Sequence, residues 1–279
     1  MFDKLLLYYS AYPTVRYATV SVLLIALCTA LLGVLLVLKR YSMIGDGLSH
    51  VTFGATAIAT VLGLSTPIYV ALPLTVIAAV CILKIRSSSK VQGDAAIAMI
   101  STAALAFGYL ILNLFADEHG ASSDACATLF GSGILSIKLS DVIICLVLSL
   151  AILFVFIFFH NRLFAVTFDE DFARSTGIRA EAYNTMIAVV TGITVVVAMN
   201  MLGALLVSAL VIFPALSSMR LFKTFRKVTI CAAVISVACA LVGVVISLLM
   251  ATPIGPTIVV ADLSVFIVCF AIGFIKAKI

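Results

Sequence analysis

An aspartate and a histidine four residues apart stand at the start of a long apolar run. Asp46 and His50 belong to the segment 43–50, MIGDGLSH. If about 46–62 forms a helix, this spacing places both side chains on one face, one turn apart. A carboxylate and an imidazole are ligands of borderline divalent metals, and a polar pair at membrane depth normally faces a cavity or a partner. The alternative is that Asp46 caps the helix and His50 is a satisfied interior histidine.

The amino-acid composition indicates what kind of protein carries this pair. The 279-residue chain is 64% hydrophobic and 10% charged, with a mean hydropathy of +1.32. Soluble domains are nearer one half apolar and one quarter charged. We therefore predict a multi-pass membrane protein forming one domain over residues 1–279, with an uncleaved first span. Its basic residues lie in short clusters between apolar runs. This arrangement indicates which loops are cytoplasmic and excludes a nucleic-acid-binding face.

The apolar runs predict an all-helical fold with about nine transmembrane helices. They cover 17–38, the motif-bearing run to 64, 67–83, 95–116, 141–159, 185–201, 202–219, 228–250 and 257–275. The two runs that meet near Asn200 are expected to form a tight outer hairpin. A further segment, 125–137, is too short to span and is predicted to be re-entrant or interfacial, and the count becomes eight if one weak run fails to cross. Basic clusters after alternate spans predict cytoplasmic loops there and an external N-terminus.

Several catalytic patterns are absent from the sequence. It contains no G-x-x-x-x-G-K-[ST] phosphate-binding loop, so any ATP hydrolysis must come from another polypeptide. It contains no H-E-x-x-H, and its three histidines lie far apart. The seven cysteines form no C-x-x-C pair and are assigned no chemistry.

Four segments in order along the chain carry a family resemblance. They are Lys39–Arg40 with 43–50, then 129–135 (LFGSGIL), 169–178 (DEDFARSTGI) and 203–215 (GALLVSALVIFPA). Together they resemble the motifs of the membrane-spanning subunits of bacterial ABC importers for zinc, manganese or iron, the ABC-3 type family. The likeness covers nearly the whole chain.

The resemblance implies a function, a fold and a set of partners. It implies a permease of the type II ABC importer architecture in the bacterial cell membrane, with no permanently bound cofactor. Asp46 and His50 would line the path and bind the divalent metal ion in transit. A cytoplasmic ATPase would use the ATP, and an extracellular solute-binding protein would deliver the metal. The segment that would dock on the ATPase contains Asp169, Glu170, Asp171, Ala173, Arg174 and Gly177.

The spacing within that docking segment predicts two surfaces if it is a helix. Ala173 and Gly177, four apart, would form a small-residue face that a partner backbone can approach. Glu170 and Arg174, also four apart, would flank that face as a polar edge. The alternative is a solvated charged loop.

The number of ligands predicts an assembly. One carboxylate and one imidazole are too few for Zn²⁺ or Mn²⁺, which need about four or more ligands. A two-fold dimer, of this chain with itself or with a paralogous permease, would double them.

Two positions depart from the family pattern: Gly47 stands where alanine is frequent, and Asp262 lies in a span that is usually apolar.

Other functions remain open at this point. A secondary transporter driven by protons or sodium would use Asp262 and Asp46 as coupling groups. An intramembrane metalloenzyme is disfavoured by the missing H-E-x-x-H. An importer of cobalamin or iron-siderophore would share the architecture, but it would need a wide apolar path and not an Asp/His pair.

Overall fold

A computed structural model describes residues 12–64, 66–88, 93–115 and 137–278. All regular secondary structure within these ranges is helical, which confirms the predicted all-α fold. The helices are α1 Pro13–Leu38, α2 Ile44–Val61, α3 Ile68–Ser88, α4 Gly93–Leu114, α5 Leu139–Phe158, α6 His160–Phe168, α7 Glu170–Ser175, α8 Ala180–Leu202, α9 Ala204–Leu221, α10 Phe225–Met250 and α11 Ile254–Lys278. The 129–135 motif lies outside the described residues, as does the predicted re-entrant segment apart from Ile137.

Each predicted span coincides with one of these helices. Seven of the described helices are long and apolar enough to cross a membrane: α1, α4, α5, α8, α9, α10 and α11. The other two predicted spans are α2, which carries the polar Asp46 and His50, and α3, whose apolar part is the shorter stretch Ile68–Lys84 with Pro73 inside it. The protein is therefore a multi-pass membrane protein.

The break between α8 and α9 differs from the expected position. Asn200 lies inside α8 and donates a hydrogen bond to the Val196 carbonyl. The two helices are joined by Gly203 alone, at φ 85° and ψ 159°. Glycine reaches this conformation without the steric cost that a side chain would impose, so the chain breaks there and not at the polar residue.

The chain divides into two compact units. The first comprises residues 1–37, 133–160 and 209–279. Within it, α10 packs along α11, and the Ser236 hydroxyl of α10 donates to the Ala26 carbonyl of α1 over 2.9 Å. Such a hydrogen bond satisfies a polar side chain that is otherwise buried among apolar helices.

The second unit comprises residues 38–132 and 161–208 and contains the Asp46–His50 pair. In it, α2 packs against both α3 and α4, and α8 packs against α3. Ala55, Ala71 and Val196 form a buried cluster where α2, α3 and α8 meet. The hydroxyls of Thr52 and Thr75 lie 3.0 Å apart between α2 and α3. Small side chains and this hydroxyl pair fix α2 against its neighbours, as is typical of helix packing within membranes.

Candidate functional site

The first turn of α2 places Asp46. The helix begins at Ile44, and Met43 at the N-cap position provides no side-chain hydrogen bond. Asp46 is thus the third helical residue, which makes the capping alternative wrong. Its carboxylate still lies in the first turn, where the helix dipole favours a negative charge.

His50 follows one turn later on the same face. Its Nε2 lies 3.6 Å from Oδ2 of Asp46, and the two side chains are 21% and 41% exposed, respectively. Two ligands of one tetrahedral ion, each bound at about 2.0–2.1 Å, are separated by about 3.3 Å. Small side-chain rotations therefore bring both atoms onto one metal ion, while partial exposure leaves the pair open to an incoming ligand.

The second nitrogen of the His50 ring is in a different environment. Nδ1 is buried and has no hydrogen-bond partner among the described residues. Metal-binding histidines usually donate this second N–H to an orienting acceptor. Among the described residues no such acceptor orients the His50 ring, so its orientation depends on Asp46 and on packing.

Ser208 is a residue of this site that sequence reasoning missed. Its hydroxyl lies 3.4 Å from Oδ1 of Asp46 and 3.2 Å from the carbonyl oxygen of Ala204. One serine proton can serve only one of these acceptors at a time, and the charged carboxylate is the stronger acceptor. A hydroxyl on Oδ1 leaves Oδ2, the oxygen nearer His50, free for a metal. No spacing rule links positions 162 apart, although Ser208 does fall inside the 203–215 motif.

Gly47 has a packing explanation. A Cβ added there would lie 2.5 Å from Cγ2 of Ile97 on α4. A side chain at position 47 would therefore require the buried Ile97 side chain to move, so the glycine fits the close packing of α2 against α4.

Within the described residues, no group of three or more His, Cys, Asp or Glu side chains is arranged to hold a metal ion. His160 stacks on the Phe225 ring at 5.1 Å between centroids and takes no part in the Asp46–His50 pair, and His119 lies outside the described residues. Asp46 and His50 alone thus provide two donor side chains, fewer than Zn²⁺ usually takes in proteins.

The predicted docking segment forms the short helix α7. Asp169 is its N-cap, with its carboxylate accepting the Phe172 N–H at 2.9 Å. At the other end, Gly177 has φ 82°, and its N–H donates to the Arg174 carbonyl at 3.0 Å. The Ile178 N–H donates to the Ala173 carbonyl at 3.0 Å, which completes a Schellman termination.

These contacts correct the predicted small-residue face. Ala173 is fully buried and packs with Val166 of α6 and Ala180 of α8. Gly177 lies beyond the end of the helix, in a left-handed conformation with nothing near the position of a Cβ. Ala173 anchors α7 on its own chain and Gly177 ends the helix, so the two residues do not form a common helix face.

The outer surface of α7 is polar with one aromatic side chain. Arg174 pairs with Glu170 at 2.8 Å, as their spacing predicts, and lies 3.6 Å from Glu181. Asp171 is exposed, and Phe172 is 60% exposed. An aromatic ring exposed on a charged helix outside the spans is a typical feature of a protein contact.

A cavity of about 570 Å³ lies beside α7 within the same unit. Its lining includes Lys39, Arg40, Asp171, Arg174 and Asn184. The buried Lys39 ammonium donates a hydrogen bond to the Asn184 side-chain oxygen. The basic pair that precedes the 43–50 motif therefore lies next to the docking segment, with charges of both signs around one cavity.

The chain is similar in sequence to membrane proteins of metal transport systems. The family described as the ABC 3 transport family matches residues 11–273. A manganese transport system membrane protein, MntC, of Halalkalibacterium halodurans is 27% identical over 270 residues, covering 96% of this chain and 89% of that protein. A high-affinity zinc uptake system membrane protein, ZnuB, of Haemophilus influenzae is 25% identical over 250 residues, covering 90% and 94%.

The fold is similar to that of a solved transporter. In the structure of PsaBC from Streptococcus pneumoniae in complex with Fab, one chain superposes with a TM-score of 0.83 at 24% sequence identity. The match covers 97% of this chain and 95% of that chain. The helical architecture is thus shared over almost the full length.

Proposed function

The chain belongs to the ABC 3 transport family, and from that premise we propose that it is the membrane permease subunit of an ATP-binding cassette importer for a divalent transition-metal ion. The cargo is Zn²⁺ or Mn²⁺, with Fe²⁺ as a further candidate, and it moves into the cytoplasm of a bacterial cell. The relatives named for manganese and zinc transport support this range of cargo. The subunit itself is not an enzyme.

The observation that carries the proposal is the 3.6 Å approach of the Asp46 carboxylate to the His50 imidazole. One oxygen and one nitrogen donor suit borderline and hard divalent ions and suit Cu⁺ poorly, since Cu⁺ prefers sulfur. The pair is partly exposed and not enclosed, as a site that must both take up and release its ion requires. We infer that Asp46 and His50 bind the metal in transit.

The complete site is proposed to form between two subunits. A homodimer, or a dimer with a paralogous permease, would supply two carboxylates and two imidazoles around one axis. Crosslinking of single cysteines placed near Asp46 should join two subunits in the active complex. If these cysteines never crosslink while transport continues, a single chain must complete the site by other means.

The ATPase contact is proposed to be α7 and the cavity beside it. Asp169 and Gly177 set the ends of this helix, Ala173 anchors it, and the Glu170–Arg174 pair holds its polar side in place. Asp171 and Phe172 are then the side chains available to the partner. The charges of both signs around the adjacent cavity would receive side chains of the ATPase, so a movement of the ATPase would be transmitted to α6 and α8.

The rival functions are not favoured. Membership of the family argues against a transporter driven by an ion gradient. The Asp46–His50 pair argues against cobalamin or siderophore cargo, for which a wide apolar path is expected.

Reconstituted transport tests the proposal. The permease, its ATPase and its solute-binding protein are placed in proteoliposomes, and uptake of Mn²⁺, Zn²⁺ and Fe²⁺ is measured in turn. We expect ATP-dependent uptake of at least one ion that stops when the ATPase subunit is omitted. Uptake that continues without the ATPase and follows a proton or sodium gradient would instead establish a secondary transporter.

A further inference from the structure

Asp262 in α11 takes no part in the site described above. It is 1% exposed, and neither of its carboxylate oxygens accepts a hydrogen bond of normal geometry from the described residues. Nearly all buried polar groups in native proteins are paired, so an unpaired one calls for an explanation. An ionisable side chain inside a membrane span is, by default, a candidate functional group.

The position of Asp262 in the α10–α11 interface defines its surroundings. A Cβ added at Gly243 of α10 would lie 2.5 Å from Cγ1 and 2.8 Å from Cα of Ile258, so the two helices approach closely at this point. Asp262 follows Ile258 by one turn, and Cys239 precedes Gly243 by one turn. The buried Cys239 thiol is the titratable group near Asp262 on α10, and it does not meet hydrogen-bond geometry with either carboxylate oxygen. Asp262 is therefore buried one helical turn from a close contact between these two helices.

The described contacts between α9 and α11 place no charged group against Asp262. From α9, the Phe213 ring meets Phe266 of α11 at 5.9 Å between centroids. Arg220, also on α9, stacks on Phe270 at 4.9 Å and contacts Gly273, three turns along α11 from Asp262. Within the described residues, none of the ion pairs includes Asp262.

We propose that Asp262 is a proton-binding site whose occupancy follows the packing of α10 against α11. An ionised carboxylate without a counter-charge or a hydrogen bond is strongly disfavoured in an apolar interior, whereas the neutral acid is tolerated far better. The carboxyl therefore holds a proton while the helices are packed as described. Separation of α10 from α11 would admit water, stabilise the charged form and release the proton.

This linkage acts in both directions. If helix separation favours proton release, then proton release favours helix separation by the same free energy. Any step of a transport cycle that moves α10 relative to α11 would consequently change the protonation of Asp262. Asp262 lies in the first unit, and its protonation does not depend on which ion Asp46 and His50 bind.

Infrared difference spectroscopy of the assembled complex tests the protonation. The spectrum of the wild type minus that of Asp262→Asn at neutral pH should contain the carbonyl-stretch band of a protonated carboxylic acid, and this band should shift in D₂O. Asp141→Asn is the control, because Asp141 accepts the Lys138 N–H at the start of α5 and should not contribute to the band. If Asp262→Asn does not assemble, Asp262→Glu should displace the band. A difference spectrum with no such band, or with bands of an ionised carboxylate, would overturn the proposal.

A second comparison tests release of the proton. The same band is measured in the resting complex and in the complex trapped with a non-hydrolysable ATP analogue. We expect its intensity to fall substantially in one of the two states. A band of equal intensity in both would show that Asp262 stays neutral throughout, and the proposed linkage to helix packing would be wrong.

Discussion

The Ser208 hydroxyl lies 3.4 Å from Oδ1 of Asp46, although 162 residues separate the two along the chain. This contact joins the first turn of α2 to the first turns of α9, just after the break at Gly203. The carboxylate that faces His50 is thereby contacted from its other side, so the candidate site consists of two proposed ligand residues and one hydroxyl that can orient the carboxylate.

Removing that hydroxyl should weaken metal binding without abolishing it. A hydrogen bond to a charged group contributes about 1.5 kcal/mol, so Ser208→Ala is expected to raise the Kd of the complex for its metal about tenfold. Equilibrium binding to the purified complex measures this change. Ser264→Ala is the matched control, since Ser264 bonds to the Val260 carbonyl on an exposed face of α11. Equal affinities in wild type and Ser208→Ala would show that Asp46 is oriented without the serine.

Removing either ligand should abolish transport. Asp46→Ala and His50→Ala are each expected to reduce metal uptake to background, because each deletes a donor atom from an already small set. Both side chains are partly exposed, so membrane insertion and recovery of the ATPase in pull-downs should be unchanged. His160→Ala serves as the control and should transport normally, because the His160 ring packs against Phe225 and is not part of the pair. Normal uptake by both ligand variants at limiting metal would place the site elsewhere.

Periodicity and spacing predicted the helices and the facing pair because these are local properties. Asp46 and His50 meet since four residues make about one helical turn, and this needs no knowledge of the rest of the fold. The contact of Ser208 with Asp46 depends on how α9 lies beside α2, which no local rule specifies.

The expectations that differ from the structure have two physical causes, the backbone conformation of glycine and the packing of one helix on another. Ala173 and Gly177 are suitably spaced for a common face only if both are helical, and the left-handed glycine ends the helix before that face is complete. Burial of Ala173 against Val166 depends on the packing of α6. Likewise, the break at Gly203 reflects a backbone conformation and not the polarity of nearby Asn200.

The exposed aromatic ring of α7 should contribute to ATPase binding. Phe172→Ala removes a side chain that packs little on its own chain, so the stability of the permease should change by less than about 0.5 kcal/mol. Loss of an aromatic anchor typically weakens a protein contact by about 2 kcal/mol, equivalent to roughly thirtyfold in Kd. Titration of the ATPase onto the permease in nanodiscs gives this value.

The control for Phe172→Ala is Phe107→Ala, which removes an equally exposed aromatic ring from the membrane span α4. It should leave ATPase affinity unchanged. If both variants bind the ATPase as wild type does, Phe172 lies outside the contact, and the basic segment from Arg220 to Lys227 becomes the next candidate.

The end of α7 should be sensitive to backbone conformation and not to side-chain bulk. Gly177 has φ 82° and open space around its Cβ position, so Gly177→Ala introduces no clash but costs about 1 kcal/mol of backbone strain. We expect α7 to end less sharply and metal-stimulated ATP hydrolysis to fall several-fold. Gly63→Ala is a matched control, because Gly63 has φ 68° with equally open surroundings at the far end of α2. It should lose similar thermal stability yet keep coupled hydrolysis. Equal loss of coupling in both variants would mean that general destabilisation, and not the termination of α7, limits transmission to the ATPase.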